Sequence, residues 1–195
     1  MRQKYFSFTP FIDSLFCCLL MLVAILFLLK TEDKEEKMVQ PNTIYQVILT
    51  WPGDSEDDLD LYVKASTGHI VSFGNREGGE GSLVSLNHDA LGRSRNNTAA
   101  GNNGTVTNFN EEVVSFRGIF QGENVVNVHV YLKKDKEPVK AKIKLVRIKP
   151  FQEVVVKEKE FTVNGEEKTI FRFETDKYGN ILGINELPTI LSKPL

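Results

Sequence analysis

Cysteine is almost absent. The two thiols, Cys17 and Cys18, are adjacent and lie inside an apolar run, so nothing after residue 29 carries one. That excludes a disulfide framework, a thiolate zinc site and a cysteine nucleophile from the larger part of the chain. Histidine is scarce too. His69, His88 and His129 stand too far apart for the close spacing of a histidine metal motif and read as surface or strand residues. No serine sits in a nucleophile elbow with a matched His and Asp. The cluster Gly78-Gly79-Glu80-Gly81 lacks the Lys-Ser/Thr and the following helix of a phosphate loop. We therefore expect no enzyme. A charge excess is also missing: 24 Lys and Arg face 26 Asp and Glu, a net charge of -2 and a pI near 6.0. Nothing in that balance calls for nucleic acid as a partner. After Lys30 no stretch has helical periodicity, and no repeat period is present.

What the chain does have is one long hydrophobic run. Phe6–Leu29 is 24 residues with Asp13 as its only charged side chain. At 1.5 Å per residue it would rise about 36 Å, against a hydrocarbon core of about 30 Å. The run is longer than a signal-peptide core and no A-x-A-like site follows it, so an uncleaved anchor in the lipid bilayer is expected. Arg2 and Lys4 on one side nearly balance Lys30, Lys34 and Lys37 on the other, so charge leaves the orientation open. The expected layout is a tail at 1–5, a transmembrane helix at 6–29, a charged linker at 30–42, an extracytoplasmic domain at 43–185 and a C-terminal tail at 186–195. About 150 residues beyond the anchor suffice for one domain with a real core.

A carboxylate inside hydrocarbon is costly and faces a partner or a water path. On a helix Asp13 shares a face with Thr9, Phe16, Cys17 and Leu20. Pro10 is tolerated in the first turn, and Thr9 is placed to cap the helix or to bond the carboxyl. Two roles fit Asp13: pairing with another helix, or carrying a proton by alternating between ionised and neutral forms.

The segment Thr9-Pro10-Phe11-Ile12-Asp13, followed by Leu15 and an apolar run to Phe27, resembles the start of the ExbD/TolR family of stator proteins. The resemblance implies a dimeric energiser subunit inside a ring of ExbB/TolQ/MotA-like subunits, in a bacterial inner membrane with the N-terminus cytoplasmic and the larger domain periplasmic. It also implies that Asp13 is proton-carrying, with Thr9 and Pro10 as helix support.

From Thr43 the pattern becomes short bursts of Val, Ile and aromatics with alternation. Candidate strands are Thr43–Trp51, Asp58–Lys64, His69–Gly74, Ser82–Asn87, Glu112–Phe116, Val125–Leu132, Val139–Ile148, Gln152–Val163, Lys168–Glu174 and Ile181–Ile184. Asn164-Gly165 between two such runs signals a hairpin of the type I′ kind. Residues 92–110, rich in Asn, Gly and Thr, read as a long surface loop with Asn-x-Thr sequons at Asn96 and Asn103. About ten strands without helices predict an all-β ectodomain, an antiparallel β-sandwich of jelly-roll or immunoglobulin-like type. The residues Trp51, Asp57-Asp58-Leu59-Asp60-Leu61-Tyr62-Val63, Gly68, Phe73, Asn75, Gly78-Gly79, Asp89 and Gly92 resemble the YfaP-like β-sandwich family. That likeness implies an extracytoplasmic accessory domain, with an unidentified ligand.

The acidic cluster supplies the one candidate metal site. Hard oxygen ligands from Asp54, Asp57, Asp58 and Asp60, with Asp89 approaching from another strand, could hold calcium, although the spacing is not that of an EF-hand. The plainer alternative is a solvated acidic turn. Two functions thus stand side by side: an ion-motive-force-coupled stator subunit, and a membrane-tethered β-sandwich that binds a partner without moving ions.

Overall fold

The computed structural model of the chain describes residues 8–28, 43–78, 83–92 and 109–192. The expected tail at 1–5, the linker at 30–42, Gly79 to Gly81 and the sequons at Asn96 and Asn103 lie outside the described residues. The chain divides into two compact units, Met1–Gln40 and Pro41–Leu195.

Among the described residues, the first unit holds one helix, α1, Thr9–Leu28. It opens with Phe8, whose carbonyl accepts the Ile12 N–H at 3.2 Å and whose ring meets Phe11 edge-on at 5.7 Å. Every side chain described from Phe8 to Ile25 is exposed, and the large ones are apolar on all sides of the helix: Phe11, Ile12, Leu15, Phe16, Leu19, Leu22. A helix that is hydrophobic all round normally has apolar surroundings. Its 20 residues rise about 30 Å. Among the described residues, no helix is long and apolar enough to cross a membrane. The run Phe6–Leu29 extends past α1 at both ends.

Among the described residues, the second unit has ten antiparallel strands in two five-stranded sheets. They are β1 Tyr45–Trp51, β2 Asp58–Lys64, β3 Ile70–Val71, β4 Val84–His88, β5 Asn110–Phe116, β6 Gly122–Leu132, β7 Val139–Arg147, β8 Gln152–Phe161, β9 Glu167–Thr175 and β10 Ile181–Asn185. One sheet has the order β4-β5-β1-β7-β8, the other β10-β9-β6-β2-β3. Alternation does the sorting. On β1, Tyr45, Val47, Leu49 and Trp51 point inward while the residues between them are half-buried. Val47 pairs with Val114 of β5 and Leu145 of β7 in the middle of its sheet. Leu59, Leu61 and Val63 of β2 and Val126, Val128 and Val130 of β6 answer from the other sheet in one continuous core. Phe116, Phe171 and Phe173 add an aromatic centre with ring contacts of 5.6 and 6.3 Å. Each such buried side chain contributes roughly 1.5–3 kcal/mol of transfer free energy.

Two features differ from the sequence expectation. The Asn164-Gly165 turn does not close a hairpin, because β8 lies in one sheet and β9 in the other. The turn carries the chain between sheets. Gly165 takes the positive φ of 73° that the turn requires. It is docked on the end of β6: the Gly165 N–H bonds the Val130 carbonyl at 2.9 Å, the Val130 N–H bonds the Glu166 carbonyl at 2.9 Å, and Asn164 Oδ1 accepts the Lys133 N–H. The His69–Gly74 run shrinks to the two residues of β3, since the chain turns back at once through the Ser72–Asn75 bridge. The C-terminal segment to Ser192 is held down. Thr189 exchanges bonds with Thr169 and accepts from Asn127 Nδ2 at 2.8 Å, and Glu167 accepts the N–H groups of Leu191 and Ser192. This strap explains why Asn127, pointing away from the core between Val126 and Val128, is buried as well.

Candidate functional site

Two places carry the residues singled out above. On α1, Asp13 is exposed with Thr9 and Pro10 one turn before it, and Cys17 and Cys18 are exposed one turn after it. The helix brings these side chains onto neighbouring rows, as the spacing requires.

In the sandwich the acidic residues separate into two groups with different tasks. Asp54 is exposed in the turn after Pro52. Asp57 is fully buried and engaged: Oδ2 meets Lys133 Nζ at 2.7 Å, and Oδ1 accepts the N–H groups of Lys134 and Asp135 at 2.7 and 2.9 Å. Lys133 Nζ also donates to the carbonyls of Asp135 and Glu137. Ser55 donates to Asp135 Oδ2 at 2.6 Å, and Trp51 Nε1 donates to the Asp57 carbonyl at 3.0 Å. Asp57 therefore locks the loop before β2 to the β6–β7 turn, and its carboxylate is saturated by protein donors. Asp58 is buried at the start of β2.

Asp60 and Asp89 do come together, and the third member is Glu112. One carboxylate oxygen from each lies within 4.8 Å of the others. The geometry follows from a gap in the sheet. β3 pairs with Val63 and Lys64, and among the described residues no strand covers the outer edge of β2 before Val63. Glu112 of β5 reaches across from the other sheet and accepts the Leu61 N–H through Oε2 at 2.6 Å. Its other oxygen, Oε1, is buried and has no hydrogen-bond donor among the described residues; the same holds for Asp89 Oδ1. Asp89 Oδ2 pairs with Arg76, and His129 Nδ1 stands 3.9 Å from Asp60 Oδ2 with its ring edge-on to Tyr62. Gly92 seats the Asp89 segment against the acidic loop. It holds φ +79°, and a Cβ there would lie 2.8 Å from the Glu56 carbonyl and 2.9 Å from that of Asp57.

Burial pushes the Glu112 carboxyl well above the usual carboxylate range, and the Asp60 charge adds to the shift. Glu112 is the residue that sequence reasoning missed. The signal was there: on β5, Val114 and Phe116 define the inward phase, and Glu112 falls on it. His69 and His88 are exposed and take no part.

No family model, curated protein or solved structure matches this chain.

Proposed function

We propose that the chain is an ion-motive-force-coupled stator subunit of a membrane complex. In this reading residues 6–29 span the bilayer, Asp13 carries the proton, and the sandwich, of immunoglobulin-like or jelly-roll kind, engages an extracytoplasmic target. The partner is a ring of multi-spanning subunits of the ExbB/TolQ/MotA kind, which would enclose a pair of these helices. The supporting observation is α1 itself. Its apolar side chains are exposed all round, a surface that suits lipid or other helices, and the one acid among them is placed where the ExbD/TolR resemblance puts a proton carrier.

The test is Asp13→Asn in the full chain, which keeps the shape and removes the ionisable group. The variant should insert and co-purify with its ring subunit in mild detergent while ion flux through the complex falls to background. Unchanged flux removes the proton role. Purification without any multi-spanning partner leaves the second function, a tethered sandwich that acts as a binding or adaptor domain.

A further inference from the structure

We propose that Asp60, Asp89 and Glu112 form a binding site for a hard divalent cation, calcium, at the edge of the sandwich where β2, β5 and the segment after β4 meet. This site is independent of the helix and of the stator reading.

Four observations carry it. The donors are three carboxylates from three separate stretches of chain, which is the ligand chemistry of hard cations. Their oxygens lie within 4.8 Å of one another, a spread that one ion with bonds of about 2.3–2.6 Å can bridge. Glu112 is fully buried and held in place by the Leu61 N–H, yet its second oxygen is buried with no donor among the described residues. Buried polar atoms are nearly always satisfied, so an unserved carboxylate oxygen marks a missing partner. Last, Asp89 also presents a buried oxygen without a donor among the described residues, while Arg76 pairs with its other one.

The site is tighter than the acidic loop suggests. Asp57 is excluded because Lys133 and two backbone N–H groups already occupy it, and Asp54 because it lies exposed in the preceding turn, outside the cluster. Magnesium suits the cluster less well, since it demands octahedral bonds near 2.0–2.1 Å and parts with its waters reluctantly. A calcium ion there would bond Asp60 of one sheet and Glu112 of the other, where the hydrogen bond from the Leu61 N–H to Glu112 already runs between them.

The experiment is thermal melting of the full-length chain in detergent, followed by the fluorescence of its single tryptophan, Trp51, in chelator, in millimolar calcium and in equal magnesium. A site held at about a hundred times its dissociation constant should raise the midpoint in calcium by about 5–10 °C. Glu112→Gln keeps an oxygen for the Leu61 N–H while removing the charge. It should melt in chelator at least as high as the parent and lose the calcium shift. Asp54→Asn should keep the shift in full. The proposal is overturned if calcium moves the parent by less than 1 °C relative to chelator, or if Glu112→Gln responds as the parent does. A shift as large in magnesium as in calcium overturns the assignment to calcium.

Discussion

Lys133→Met isolates what the buried ion pair contributes. The substitution keeps an unbranched stem of similar length and removes the ammonium. Asp57 keeps its bonds from the N–H groups of Lys134 and Asp135 but loses the cation 2.7 Å away, with side-chain exposures of 7% and 0% for the pair. The carbonyls of Asp135 and Glu137 lose their donor at the same time. Leaving one charge of a buried pair uncompensated costs about 3–5 kcal/mol. An exposed pair of the same length would cost about 0.2–1 kcal/mol. At about 2–4 °C per kcal/mol for a chain of this size, the midpoint should fall by roughly 6–20 °C. Trp51 is a direct reporter, because its indole N–H bonds the carbonyl of Asp57 itself. Combining Lys133→Met with Asp57→Asn should recover part of the loss, since the orphaned charge is then gone. A loss under about 1 kcal/mol, or a double variant that costs the sum of the two singles, would refute the account of Asp57 as a saturated structural lock. The calcium response should survive in Lys133→Met at temperatures where it is folded, because neither partner belongs to the cluster.

Two further outcomes are expected. Gly92→Ala forces a side chain into the left-handed region and against two carbonyl oxygens, so urea unfolding should show a loss of about 1–3 kcal/mol. Glu186, held by Lys157 and Lys159, should titrate at about 2 when its side-chain carbon is followed by NMR. Because that value is depressed, the pairing favours the folded state above the ordinary carboxylate range and is lost as pH falls toward 2; being exposed, it should move back toward 4.5 in strong salt.

Strand positions were readable from the chain because burial on one face imposes a period of two, and each candidate run from Thr43 onward overlaps one of the ten strands. The hairpin at Asn164-Gly165 was misjudged for a plain reason. Those residues specify a local backbone turn, whereas whether the flanking strands pair depends on partners far away, here β7 for β8 and β6 for β9. The acidic residues show the same division. That Asp60 and Asp89 approach each other was legible as a possibility, yet their sorting was not. Asp57 and Asp60 differ in role only because Lys133 reaches one and Glu112 the other, from 76 and 52 positions along the chain.

By itself the amino-acid order determined an apolar helix with one acid in it, an all-β domain behind it, and the exclusion of thiol chemistry from that domain. These depend on composition and on periods of two and 3.6 residues, which are local properties. The tertiary structure alone decided which sheet each strand joins, where the C-terminal strap lies, and which three carboxylates cluster. Such choices are made by contacts between residues far apart in sequence, and the energy of a buried charge is set by what surrounds it in space.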